Sequence, residues 1–306
     1  MRAAWTLDAA AIAVSQRSGL WATLGAGGAS AQRLKAECRR IYLDRGFVHL
    51  PSLVDLPTVE SLVGECMRCV RSGATYFSSE DHNPYLKDDD PTLSCTHPRN
   101  RPMASSKTIV DYSRAGSNSV LSELYRSELM LDLIQAIVSP EQQLYRAPCP
   151  ISSAYYNVFE EGNGLGWHYD NSEFGVNLVL QMAGGGGVSG GGEFEFHLNT
   201  RSKDDPDSFG STERILDSGC PSTDQYVQLA HDLGPGSLVV FSGRHSLHRV
   251  TPVLPGVSPR INIIFTYEKE QGAMANDYVL RKFFGRTADD QRQLLEQVRG
   301  DTGSRL

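Results

Sequence analysis

The residues most able to do chemistry sit in the segment Gly166-Trp-His-Tyr-Asp-Asn-Ser-Glu-Phe, where His168 and Asp170 are two positions apart. On a β-strand, residues i and i+2 project from the same face. An imidazole and a carboxylate would therefore point together into one space. A third ligand is required, and the later segment GSLVVFSGRHSLHRVTPV provides His248. Two histidines and one carboxylate form a facial triad that leaves positions open on non-haem Fe(II). Those positions can take a chelating cosubstrate and dioxygen. His245 competes for the third place. His248 is preferred because it opens the apolar run HRVTPV after a Gly-containing turn, whereas His245 lies beside Arg244 within that turn.

Arg260 follows His248 at the head of another apolar run, RINIIFTY. An unpaired arginine on such a strand would be costly. It either pairs with a nearby Asp or Glu or receives an acidic ligand. Its planar fork suits a carboxylate held bidentately, and beside a facial triad the natural partner is the distal carboxylate of 2-oxoglutarate. Tyr155 and Asn157 share a strand face ahead of the triad and are candidates to touch that cosubstrate, against a purely structural role. Asn171, directly after Asp170, is a candidate to meet the substrate. Strict alternation places Asn262 and Ile264 on the Arg260 face, and a bulge would substitute Ile263 and Phe265. Either register gives a largely apolar wall.

These residues need a scaffold, and the sequence changes character to supply one. Before about residue 143 the pattern is helical. Ser30 is placed to cap a helix that ends at Gly46, FVHLPSLV reads as a short strand, and Pro57 opens a second helix. Residues 118–137 have apolar spacing for a third. Residues 74–105 are polar, lack a period, and form either a lid over a small molecule or a groove for a peptide. After residue 143 come short segments rich in β-branched and aromatic residues: SAYYNVF, WHYDNSEF, GVNLVLQ, GGEFEFHL, GSLVVFSG, LHRVTPV and RINIIFTYE. Such spacing suggests a sandwich or barrel. MAGGGGVSGGGE must be a turn or mobile loop, and residues 200–228 look like a polar insertion. The expectation is a loosely held leader over 1–28 and one domain over 29–306, with a helical cover at 29–142, a β core at 143–270 and a C-terminal helix within 271–306.

The order His168-x-Asp170, then His248, then Arg260 on the next strand is similar to the Fe(II)/2-oxoglutarate-dependent oxygenase superfamily. That resemblance implies a double-stranded β-helix (jelly roll), mainly β with flanking helices. The runs WHYDNSEFGVNLVLQ, GGEFEF and NDYVLRKFFGR resemble a narrower group, the free amino-acid halogenases and hydroxylases and the aziridine-forming amino-acid oxygenases. The likeness spans roughly residues 95–290. It implies Fe(II), 2-oxoglutarate and O2 as cofactor and cosubstrates, a small-molecule amino-acid substrate, attack on an unactivated C–H, and release of succinate and CO2. With an amino-acid substrate implied, Asn171 becomes a candidate for its amine, and the apolar wall favours a small aliphatic side chain, such as that of valine or isoleucine. Arg101 becomes the candidate anchor for the substrate carboxylate, because related enzymes place an arginine in a similar segment; the alternative is a solvated loop arginine. Halogenases of this kind replace the triad carboxylate by a small residue so that chloride can bind. Asp170 is present, so hydroxylation or oxidative C–N ring closure is expected. A peptide or protein hydroxylase and a cupin-like metal-binding protein that is not an oxygenase are the competing readings.

Composition is consistent with this. The 306 residues carry a net charge of −7, which argues against a nucleic-acid surface. No apolar run approaches the ~20 residues of a membrane helix. The N-terminal stretch is broken by Asp8, Gln16 and Arg17 and does not read as a secretory signal, so a cytoplasmic location is expected. Of six cysteines, Cys66 and Cys69 form the one close pair; reduced thiols are expected there, with a metal or redox role as the alternative.

Overall fold

The computed structural model describes residues 20–186, 190–202, 204, 209–218, 226–229 and 233–301. Most of the expected leader, residues 1–19, and parts of the Gly-rich turn and of the polar insertion lie outside the described residues.

Helices α1 (Leu20–Ala26) and α2 (Gly28–Arg45) come first, so the segment just after residue 19 is helical and buries Leu24 in the core. Helix α2 starts two residues before Ser30, behind Gly27 at φ 66°, and stops at Gly46 in the left-handed region. Strand β1 (Phe47–Leu50) leads to α3 (Leu56–Ser72). Asp55 caps α3 by accepting from the Thr58 N–H, and Gly73 ends it. Strands β2 (Tyr76–Ser78) and β3 (Ser105–Val110) bracket the long polar segment. That segment is held by its own side chains. Asn83 donates to the Lys87 carbonyl, and Asn100 donates to the Asp90 and Leu93 carbonyls.

A single helix was the expectation over 118–137. Instead α4 (Tyr112–Ala115) is followed by two helices, α5 (Val120–Arg126) and α6 (Glu128–Val138). Ser127 divides them. Its ψ of 125° leaves the helical region, its N–H closes α5 on Leu124, and its hydroxyl accepts from Met130 to start α6. A Ser that can cap competes with its own helix for the backbone.

The β elements are β4 (Tyr145–Arg146), β5 (Ala154–Phe159), β6 (Gly164–His168), β7 (Gly175–Gln181), β8 (Phe194–His197), β9 (Tyr226–Leu229), β10 (Leu238–Phe241), β11 (Leu247–Val250), β12 (Arg260–Phe265) and β13 (Tyr267–Glu268). Helix α7 (Gly210–Ser218) lies between β8 and β9. Helix α8 (Asp277–Val279) runs into a π-helical turn at Leu280–Phe284, and α9 (Ala288–Asp301) follows. The pairing order is β1-β10-β7-β12-β5-β3-β6-β11-β8-β9, all antiparallel, with β2 on β3. Strands β5 and β6 lie end to end along β3, so β3 joins the larger helix-covered sheet to the smaller one. The result is the curled antiparallel sheet of a jelly roll with flanking helices.

The larger sheet is buried on both faces, which explains why its strands are nearly continuous apolar runs. Val176, Leu178, Leu180, Leu238, Val240, Ile261 and Ile263 face the helices and pack with residues such as Leu62, Ile134 and Ile137. The alternate residues Val179, Val239 and Phe241 face inward and meet Phe194, Phe196 and Val250 from the smaller sheet. Phe159, Phe194, Phe241 and Val250 of this inner cluster also line a cavity between the sheets.

Candidate active site

His168 is the last residue of β6, and His248 is its direct cross-strand partner on β11. Their rings lie 4.1 Å apart between centroids. The chain then leaves the strand. The Tyr169 N–H donates to the Pro84 carbonyl and the Asp170 N–H to the Gly243 carbonyl. Tyr169 turns away into a cluster with Tyr85, Trp167 and Leu247, so Asp170 returns to the face of His168. Its Oδ1 stands 3.7 Å from His168 Nε2 and 3.4 Å from His248 Nε2. Among the described residues, these three form the one cluster whose ligand atoms all lie within 4.8 Å of one another.

Both histidines are held in the same way. His168 Nδ1 lies 2.8 Å from the Gly166 carbonyl, and His248 Nδ1 lies 2.9 Å from the Ser246 carbonyl. Each Nδ1–H donates to the carbonyl two residues upstream, which leaves both Nε2 lone pairs aimed at Asp170. This is the outer hydrogen bond that fixes a metal-binding imidazole. Burial, followed by the neighbouring His248, holds the His168 pKa well below the usual imidazole value, so the ring stays in its neutral, ligating form. Gly243 and Gly175 make room for the carboxylate: a Cβ on Gly243 would lie 2.2 Å from Asp170 Oδ2, and one on Gly175 3.1 Å from it. His245 lies outside the cluster, with its Nδ1 3.3 Å from the Arg201 carbonyl.

The cavity beside the triad has a volume of about 350 Å³, at the small end of small-molecule sites. Strand alternation sets its wall. The β5–β12 register pairs Asn262 with Asn157 and Ile264 with Tyr155, and all four residues line the cavity. Asn262 Nδ2 donates to Asn177 Oδ1 at 2.9 Å, while the Oδ1 atoms of Asn157 and Asn262 have no partner. Ile263 lies on the other face under the helices. Phe265 reaches the cavity at its edge and also stacks on Tyr125. The irregularity in β12 falls between Ile261 and Asn262 on the β7 side only, so the register toward β5 is unbroken. Asn171 lines the cavity with its Nδ2 unpaired.

Arg260 shares the face of Asn262 and Ile264 and is fully buried. Its Nη1 meets only Met182 Sδ, and Nε and Nη2 have no partner. Burial lowers its pKa to about 10, with Glu193 opposing, so it remains cationic at neutral pH. A buried cation with an empty fork lacks an acid; Arg260 is not itself among the residues lining the cavity, and a dicarboxylate reaching from the triad would supply that acid. The donor set and Arg260 thus fit Fe(II) and 2-oxoglutarate.

Arg101 is not among the cavity residues. Its fork is taken up by the Thr96 carbonyl and by Asp217. Cys66 is packed in the helical core, and burial pushes its thiol up to about 12; Cys66 and Cys69 are both free thiols. The sequence reading missed Lys107, which lines the cavity from β3, and His82, whose ring packs edge-on against His168 at 5.5 Å. Alternation along SSKTIV was a usable signal for Lys107, since Lys107 and Ile109 must share a buried face.

A family model described as Halogenase D matches residues 30–278. The chain belongs to the halogenase D family. With the triad, it is a non-haem Fe(II)/2-oxoglutarate-dependent oxygenase that uses O2. No curated protein sequence matches it. Among solved structures, it resembles a prolyl hydroxylase from Trichoplax adhaerens in complex with a hypoxia-inducible-factor peptide fragment (TM-score 0.50, 14% identity, covering 79% of this chain and 91% of that one). It also resembles HygX from Streptomyces hygroscopicus with nickel and 2-oxoglutarate bound (TM-score 0.50, 15% identity, 76% and 86%). A third is the epimerase SnoN in complex with Fe3+, alpha ketoglutarate and nogalamycin RO (TM-score 0.50, 13% identity, 78% and 84%). At these identities the likeness concerns the jelly-roll fold.

Proposed function

We propose that this member of the family oxidises an unactivated C–H of a small free amino acid with an aliphatic side chain, by hydroxylation or by oxidative C–N ring closure. The observation that carries the reading is the cavity: about 350 Å³, walled by Ile264, Phe283, Phe284 and Leu86, with Asn171 Nδ2 and Asn262 Oδ1 as polar atoms that lack partners. Such a space suits a cosubstrate and one small molecule better than an extended chain.

His168, Asp170 and His248 would hold the iron, and Arg260 the far carboxylate of 2-oxoglutarate. Bound together with dioxygen, these groups supply the oxidising power that removes a hydrogen atom and releases succinate and CO2. The chain's own contribution is placement. The carbonyls of Gly166 and Ser246 fix the two imidazoles. Gly243 leaves space for the carboxylate. The aromatic wall excludes water from the reacting carbon, which protects a reactive site from side reactions. Asn171 offers a polar contact to the substrate amine.

The test is succinate release with a panel of free amino acids, followed by product mass. Stimulation by valine- or isoleucine-like substrates supports the reading. A gain of one oxygen identifies hydroxylation, and a loss of two hydrogens identifies cyclisation or desaturation. Stimulation by lysine or ornithine with every aliphatic amino acid inactive would refute the aliphatic assignment. Response to peptides alone would refute the free amino acid.

A further inference from the structure

The cavity wall carries a buried cation, Lys107, that neither the triad nor Arg260 accounts for. Lys107 sits on β3 and is 4% exposed, yet it is part of the cavity wall. It makes no hydrogen bond and no ion pair among the described residues. Its one close contact is the ring of Phe283, 4.8 Å from Nζ to the centroid. A cation–π contact does not replace the hydration of an ammonium. Such a group is expected to meet an anion when the site is filled.

Lys107 and Arg260 belong to the same inner face but serve different ends of it. Ile109 pairs with Asn157, so Lys107, two residues away, projects to the side of Asn157 and Phe159. Phe159 in turn pairs with Arg260. Phe159 therefore stands between the two cations. Their heads lie among different neighbours. Arg260 meets Met182 and packs on Gly192, with Glu193 nearby. The Lys107 ammonium feels Asp170 and contributes to the field on His82 and His168. It lines the same cavity as His168, Asp170 and His248, whereas Arg260 is not among the residues of that wall. One carboxylate of 2-oxoglutarate accounts for Arg260, and the other, beside its keto group, would be taken up by the metal. A further acid held next to the triad would meet Lys107.

We infer that Lys107 binds the carboxylate of the primary substrate and so orients its side chain toward the iron. This rests on the free amino-acid reading and assigns the anchor that Arg101, already occupied by Thr96 and Asp217, does not provide. Burial lowers the Lys107 pKa to about 8, with Asp170 opposing, so the ammonium form predominates at pH 7 and a bound carboxylate would favour it further.

The experiment compares wild type with Lys107→Met and Lys107→Arg. Two readouts must stay unchanged in Lys107→Met: the visible band formed anaerobically with Fe(II) and 2-oxoglutarate, and the KM for 2-oxoglutarate. The kcat/KM for the best amino acid should fall about 100-fold or more, as expected when one partner of a buried charge-assisted pair is removed, with partial recovery in Lys107→Arg. The matching amine without its carboxyl group is the second arm. Wild type should discriminate against it by a similar factor, and Lys107→Met should treat amine and amino acid alike. Retention of amino-acid kcat/KM within threefold, or continued discrimination against the amine, overturns the inference while leaving the substrate reading intact. Loss of the 2-oxoglutarate band in Lys107→Met also overturns it, by assigning Lys107 to the cosubstrate. If no amino acid stimulates wild type, the substrate reading fails first, and the inference falls with it.

Discussion

Replacing Gly243 by alanine should remove iron binding without removing the fold. Gly243 has no positive φ, so its backbone accepts an alanine. The three nearest atoms it would meet all belong to Asp170: the new Cβ would stand 2.2 Å from Oδ2, 2.9 Å from Cγ and 2.9 Å from Cβ of that residue. Relaxed carbon contacts lie at about 3.5–4.0 Å, so the carboxylate must retreat by roughly 1 Å. Rotating the side chain does not help, because the Cβ–Cβ clash remains. Metal–ligand distances tolerate only about 0.2 Å. Lesser disturbances around metal ligands cost about 10–100-fold in affinity, so a loss of about 100-fold or more, about 2.7 kcal/mol, is expected. Overpacking should lower stability by about 1–3 kcal/mol. The assay is anaerobic titration with Fe(II), read by calorimetry and by the 2-oxoglutarate-dependent visible band, with circular dichroism as the control for fold. In an Asp170→Gly background the clash vanishes, and Gly243→Ala should then cost little stability. Metal affinity within threefold of wild type in Gly243→Ala, with the fold intact, would show that Asp170 is not held against Gly243.

Arg260→Met should leave the apoprotein as stable as wild type or more so, because it removes an unpaired buried cation. It should abolish the rise in Tm that 2-oxoglutarate produces in the metal-loaded protein; a preserved shift would remove Arg260 from the cosubstrate site. Lys107 is cationic below its pKa of about 8, so kcat/KM for the amino acid should fall about tenfold per pH unit above that value, and Lys107→Arg should move the limb upward. The folded pKa lies below the unfolded one, so the burial cost is full below about pH 8 and fades as pH rises toward 10.5. Lys107→Met should accordingly stabilise the apoprotein at pH 7, by on the order of 2 kcal/mol; calorimetry showing destabilisation would count against an unpaired Lys107. Tyr156 donates to Glu65 Oε1 at 2.6 Å, and Glu65 Oε2 accepts from the first N–H of α5 at 2.7 Å. Tyr156→Phe should cost about 1.5–3 kcal/mol in denaturant unfolding while leaving metal affinity unchanged.

The chemistry was legible because it is written in local patterns. His168 and Asp170 are two apart, and the apolar context of His248 distinguishes it from His245. Helix ends at Gly46 and Gly73 follow from glycine's access to positive φ. Ser127 shows the limit of such reading: the apolar spacing of 118–137 is continuous, and only the hydrogen bonds of its hydroxyl and N–H reveal two helices.

By itself the sequence determined which residues carry ligating, cationic and apolar groups and the period on which they repeat. Those properties depend on side-chain chemistry and on neighbours a few positions away. Tertiary structure decided which of them meet. The β6–β11 register sets His168 against His248, the close approach of Gly243 positions Asp170, and the unbroken β5–β12 register puts Asn262 and Ile264, not Ile263, on the inner face. It also moved attention from Arg101 to Lys107. Both are basic residues ahead of the triad, and their types alone do not separate them. The difference is that Arg101 finds Asp217, a partner distant in the chain, whereas β3 carries Lys107 into a cavity without one. Such pairings join residues separated by a hundred positions or more, and no local pattern encodes them.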